Sequence, residues 1–320
     1  MPEKPSIVPL LVMIAVVVIA GAIGGSYVYF HSLPQPGGTP FVVRPGDNVT
    51  VNYIGIFGSG AESGKVFDTS LYRVASDNVA YPKSLEYHGR GVAANYTTLA
   101  VHVGGSTPSS GYTLGNFSFI QVVPGFWQGL VGIPPNQTHT IIVPPDLGYG
   151  PTNPACVATF PLTQNMPIVR TFSGAQFQKA YPGAIAATGS EFSDPHYGWT
   201  VMVLAANASF VTIENLPTLG ESASPSGWPV TVTAIASTAN GSGTITLVNQ
   251  LTAADAGHLL GKDFLGTGPC SSSANGQFIV SSVDPAKGTY TENFNPEVQG
   301  QTLIFIVTVV DVFVPPPPVA

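Results

Sequence analysis

Residues 119–150, FIQVVPGFWQGLVGIPPNQTHTIIVPPDLGYG, constrain the fold of this 320-residue chain more than any other stretch. A β-branched pair, Val122 and Val123, leads into Pro124 and a glycine-framed segment with Phe126 and Trp127. Proline is tolerated at the start of a helix and Gly132 marks an end, so FWQGL reads as a short helix. A polar turn, the strand THTIIV and a Pro-Pro loop ending in Tyr149 follow. The segment can therefore be read as chemistry and not only as fold.

The remaining elements are mostly strands. VTVNYIGIF (49–57) alternates in the manner of a strand, and a glycine-containing loop joins it to GKVFDTS (64–70). LAVHVGG (99–105) reads as another strand inside a long irregular stretch, 71–111. QTLIFIVTVVDVFV (301–314) is a strand of β-branched residues, followed by a stiff proline run, 315–318. Between them, VTIENLPTLG (211–220), ITLVNQLTAADAG (245–257) and YTENFNPEVQG (290–300) each run strand, Asn, turn, Gly. They suggest a repeated β-hairpin unit, with chance similarity of Thr- and Asn-rich strands as the alternative.

Charge is scarce: 8% of residues, with 10 Lys+Arg against 17 Asp+Glu and a net charge of −7. No basic face can be assembled from these, which argues against a nucleic-acid partner. The 44% hydrophobic content and alternating Val, Ile and Thr argue for folded β structure rather than disorder. One hypothesis is an acidic exterior, where carboxylates with pKa near ~4 are largely neutral and add little solubility. An activity that peaked near neutral pH and collapsed in acid would rule it out.

Residues 7–30 contain no charge, and at about 1.5 Å per residue such a helix spans the ~30 Å hydrocarbon core. The expectation is an uncleaved anchor that holds the chain in the lipid bilayer of the cell membrane. A signal peptide cleaved near Ala20 to Ala22 is the alternative. Lys4 leaves the short end, 1–6, in the cytoplasm and the bulk of a single-pass protein extracytoplasmic. Candidate glycosylation sequons begin at Asn48, Asn95, Asn116, Asn136, Asn207 and Asn240. Cys156 and Cys270 either pair in an oxidising exterior or stay as two separate buried thiols.

The order strand with Tyr53 and Gly55, then VFDTS, then VVPGF, then PPDLGYG closely resembles the FKBP-type peptidyl-prolyl cis-trans isomerases. FNPEVQGQTLIF (294–305) resembles the approach to the last strand in the SlyD-type subgroup, except that Pro296 and Glu297 stand where His-Pro is usual. The resemblance implies an α+β fold, a twisted antiparallel sheet around one short helix, with a large β-rich inserted domain and the N-terminal transmembrane helix. The implied organisation is anchor 7–30, linker 31–40, isomerase domain 41–150 plus 294–314, inserted domain 151–293 and Pro-rich tail 315–320.

By the same resemblance Tyr53, Phe67, Asp68, Phe126 and Tyr149 form the catalytic pocket, with Val122, Val123 and Phe305 binding substrate. Phe126 is its floor, and Tyr149 offers its hydroxyl to a substrate carbonyl. One wall is open among Leu99, Tyr112, Phe117 and Phe119. The implied partners are unfolded or partly folded Pro-containing polypeptides, and the insert would bind them as a chaperone does.

Six scattered histidines, and no GxSxG, GxGxxG or P-loop sequence, imply no metal and no cofactor. The leading expectation is a membrane-anchored isomerase that assists the folding of secreted or surface proteins. The alternative is a catalytically inactive FKBP-fold module with a binding or structural role at the cell surface.

Overall fold

The computed structural model describes residues 41–104, 120–238, 242–263, 268–270 and 276–313. They fall into two compact units. Unit 1 combines residues 41–152 with residues 297–313, and unit 2 is Asn153–Pro296. The expected anchor 7–30, the linker and the proline tail lie outside the described residues. Among the described residues no helix is long and apolar enough to cross a membrane.

The α+β expectation is corrected. Among the described residues the protein is mostly β, 41% strand and 12% helical, in four antiparallel sheets. Two causes combine. Among the described residues unit 2 adds twelve strands and one seven-residue α-helix, and the α-helices of unit 1 are only Tyr72–Ala75 and Pro124–Leu130.

Unit 1 is one five-stranded sheet made of β1 (Asn48–Phe57), β2 (Val66–Thr69), β3 (Leu99–His102), β4 (Thr138–Val143) and a closing strand, Leu303–Phe313. The closing strand lies between β1 and β4, and its β1 register runs from Phe57↔Leu303 to Asn48↔Phe313. The other edge of β1 is shared: Ile54–Ile56 pair with β2, and Asn48–Val51 with β3. Period-2 alternation aims Leu303, Phe305, Val307 and Val309 at one buried face.

That face receives the helix Pro124–Leu130 through buried Phe126 and Leu130, each contributing about 1.5–3 kcal/mol by burial. The approach is close because the helix presents glycine to the sheet. A Cβ on Gly129 would lie 2.3 Å from Ile141, and one on Gly125 would lie 2.7 Å from Val143. The opposite face is covered by Leu71, Val74, Tyr81 and Tyr87 from the long irregular stretch, packed on Ile54, Ile56, Ile304 and Ile306. This explains why β1 is buried along nearly its whole length.

Glu297 ties that covering to the approach of the closing strand. Its carboxylate accepts the Leu85 and Glu86 backbone N–H groups at 3.0 and 3.3 Å, and its own N–H donates to Glu86 at 3.1 Å. Burial raises its carboxyl pKa above the usual range.

Unit 2 is built three times over. Three strands follow one another directly: β5 (Val157–Pro161), β6 (Thr163–Pro167) and β7 (Val169–Ser173). A helix, Gly174–Ala180, with a Ser173/Gln176 capping box, then precedes three meanders. These are β8 (Glu191–Ser193), β9 (Thr200–Ala206) and β10 (Phe210–Leu216); β11 (Ser222–Ala223), β12 (Val230–Ser237) and β13 (Gly243–Asn249); and β14 (Leu260–Lys262), β15 (Gln277–Asp284) and β16 (Thr289–Asn293). Each meander pairs its last strand with one leading strand, giving the sheets β7-β10-β9-β8, β11-β12-β13-β6 and β14-β15-β16-β5.

The leading strands form a six-residue repeat, CVATFP, LTQNMP and IVRTFS (156–173), with matched registers Phe160↔Tyr290, Met166↔Ile245 and Phe172↔Val211. The repeated Asn has a structural task in two of the sheets. Trp199 and Trp228 donate their indole N–H to Asn215 and Asn249 at 3.3 and 2.8 Å. The two amides in turn donate to the carbonyls of Ile168 and Leu162 at 3.2 and 3.0 Å. In the third sheet Phe294 holds the same place, with its N–H on the Cys156 carbonyl at 2.9 Å. Cys156 and Cys270 form a disulfide.

Candidate functional site

The site of unit 1 grows out of the inward alternation of the sheet. β1 aims Tyr53 at the helix-bearing face and the closing strand aims Phe305 beside it. β2 lays Phe67 across Gly55, where a Cβ would meet the Phe67 ring at 2.6 Å. The helix supplies Phe126 as the floor. The rings pack edge to face, Phe126 on Phe305 at 4.8 Å, Phe67 on Phe305 at 5.5 Å and Tyr53 on Phe126 at 6.1 Å between centroids.

These rings enclose a cavity of about 620 Å3. It is also lined by Val122, Val123 and Leu99, with Tyr149 at the rim. All eight residues expected at the pocket thus come together. Of the residues competing for the remaining wall, Leu99 lines the cavity, whereas Tyr112, Phe117 and Phe119 lie outside the described residues.

The charged residues lining the cavity, Asp68 and Arg90, form one ion pair. The Tyr53 hydroxyl donates to Asp68 Oδ2, and the Thr69 N–H donates to Asp68 Oδ1 at 2.8 Å. Arg90 Nη2 donates to the Tyr53 oxygen at 2.7 Å and to Asp68 Oδ1 at 3.0 Å. Arg90 lines the same cavity and was not among the residues expected there from the sequence. It is delivered by the irregular stretch and held by its backbone N–H on the Tyr96 hydroxyl at 2.8 Å. Its carbonyl accepts the Asn95 side-chain amide at 2.6 Å.

Burial, with the Asp68 carboxylate second, raises the Tyr53 phenol well above its usual value. Tyr149 is raised by the same two causes in the same order. Both hydroxyls therefore stay protonated donors at any ordinary pH. The Pro145–Leu147 turn carries Tyr149 to the rim, where the residue is 51% exposed.

Of the sequons, Asn48 is buried and its Oδ1 bonds His102 Nδ1 at 2.8 Å. Asn95, Asn136 and Asn207 are exposed, and Asn116 and Asn240 lie outside the described residues. Among the described residues no three His, Cys, Asp or Glu side chains converge as a metal site.

No family model matches the chain. It is similar to the short-type peptidyl-prolyl cis-trans isomerase of Methanocaldococcus jannaschii, 28% identical over 109 residues, which is 34% of this chain. The chain spans about half the length of that relative, 52%.

Proposed function

We propose that unit 1 is an FKBP-type peptidyl-prolyl cis-trans isomerase acting on Pro-containing polypeptides, and that unit 2 is an insert of the SlyD kind. One observation carries this reading: an aromatic cavity whose charged residues, Asp68 and Arg90, are joined with Tyr53 in one hydrogen-bonded network. The similarity to a protein named as such an isomerase supports it.

Isomerisation needs no nucleophile. The barrier of ~18–20 kcal/mol is the amide resonance lost as the bond twists. A cavity lined by Phe67, Phe126 and Phe305 takes the prolyl ring out of water and disfavours the charge-separated planar form. Twisted amide is thereby bound better than either planar isomer. A preference of about 5 kcal/mol accelerates exchange several thousandfold. Tyr149 donates its hydroxyl to a carbonyl flanking the proline, and the Val123 N–H serves a second. Asp68, held by Tyr53 and Arg90, faces the carbonyl that rotates.

The disulfide supports action in an oxidising compartment, outside the cytoplasm. The test is the cis/trans exchange rate of a Phe-Pro peptide measured by NMR with wild type, Tyr149→Phe and Asp68→Ala. Fast exchange that drops in both variants is the expected result. Absence of exchange from folded wild-type protein would leave a Pro-peptide-binding module in place of an enzyme.

A further inference from the structure

Unit 2 contains a second cavity, about 480 Å3, with aromatic walls from Phe160, Tyr197, Phe278 and Tyr290 and two carboxylates, Asp263 and Glu292. None of the residues lining it is Lys, Arg or His.

The threefold register shows how unusual Glu292 is. Ile213 pairs with Arg170, Leu247 with Gln164 and Glu292 with Ala158, three positions spaced six apart in the leading repeat. Two of the three equivalent inward positions are therefore filled by aliphatic side chains and the third by a carboxylate, only 8% exposed. The neighbouring position departs in the same way, with Tyr290 where the sister sheets have Val211 and Ile245. Tyr290 donates to Glu292 Oε1 at 3.2 Å and accepts from Gln164 Nε2 at 3.2 Å.

A buried carboxylate held by one neutral phenol is costly compared with the leucine or isoleucine of its sisters. Burial pushes the Glu292 carboxyl up to about 7, and Asp263 adds to the shift. A cation would relieve that cost, because carboxylates and ring faces both attract one.

We propose that this cavity binds the aliphatic ammonium of a lysine side chain presented by an extended polypeptide. The site goes beyond the isomerase reading and does not depend on it. Asp263, Tyr197 and Tyr290 are the other titratable groups lining the cavity. Burial raises both phenols, so they stay neutral over the range tested.

The experiment is calorimetric titration of the full chain with acetyl-Gly-Lys-Gly-amide, its norleucine counterpart and butylamine, none of which contains proline. The lysine peptide is expected to bind at pH 8 at least about tenfold more tightly than the other two, and to weaken at least about tenfold at pH 5 as Glu292 takes up a proton. Glu292→Gln and Glu292→Leu should each lose at least about tenfold in affinity, and the Leu variant should unfold at no lower temperature than wild type. Equal binding of the norleucine peptide, no binding of the lysine peptide to folded protein, or wild-type affinity in Glu292→Gln would overturn the site. Butylamine binding as tightly as the peptide would overturn the polypeptide as its source.

Discussion

Arg90 reaches the pocket from a stretch without regular secondary structure and closes the Tyr53–Asp68 pair with two bonds of 2.7 and 3.0 Å. Its own position depends on Tyr96 and Asn95. Replacing it with methionine keeps the aliphatic stem and removes the charge, which leaves Asp68 free to turn away from Tyr53. Arg90→Met is expected to lower kcat/KM for a Phe-Pro peptide about tenfold, or ~1.4 kcal/mol, with little change in thermal midpoint; unchanged kcat/KM would remove Arg90 from the site. Tyr53, Phe67, Asp68, Phe126 and Tyr149 were legible because each sits in a short segment of distinctive order. Arg90 was not, since its place is set by a loop whose length follows no period and whose contacts are tertiary.

At the scale of elements, the short helix Tyr72–Ala75 was not legible, whereas the strands and the Pro124–Leu130 helix of unit 1 were, from alternation and from the Pro and Gly that bound them. What could not be read was that two glycines of that helix serve to seat it. Gly129→Ala adds a methyl group 2.3 Å from Ile141, and this overpacking outweighs the ~1 kcal/mol gain in helix propensity. The variant is expected to lose about 1–3 kcal/mol in denaturant unfolding and to lower isomerase activity, because Phe126 moves with the helix. A stability equal to or above wild type would show that the helix can lift at no cost.

The threefold plan of unit 2 was legible in part. The trailing strands with their Asn were readable as a repeat. The leading hexads, CVATFP, LTQNMP and IVRTFS, are too short to announce themselves, and the prolines that end the first two look like breakers rather than strand ends.

For the molecule as a whole, the sequence pointed to an α+β protein because the resemblance speaks only for unit 1. The abundance of strands in unit 2 decides the class. Glu292 makes the stability of unit 2 depend on pH with a definite sign. Its folded pKa, about 7, stands above the ordinary 4.5, so its contribution is fully present below about pH 4.5 and is lost as pH rises through 7. Unfolding at stepped pH should show a fall of roughly 3 kcal/mol across that interval, absent in Glu292→Leu; a flat profile in wild type would refute the assignment. The disulfide closes a separation of 114 residues, for which chain entropy gives about 4–5 kcal/mol. Reduction is expected to lower the unfolding midpoint of unit 2 and to leave that of unit 1 in place, as two-stage calorimetry would reveal.

The position of the closing strand has a consequence for biosynthesis. Phe57 waits for Leu303, so a nascent chain emerging from the ribosome has made all of unit 2 before the middle of the first sheet exists. Vectorial synthesis therefore lets unit 2 mature as a self-contained body, while β1 and β4 have nothing to bridge them. A chain stalled after Pro296 should yield a protease-resistant unit 2 followed, only on release, by protection of residues 41–150. The aromatic cavity of unit 1, begun by β1, is thus completed only after all of unit 2 has been made, when Phe305 arrives.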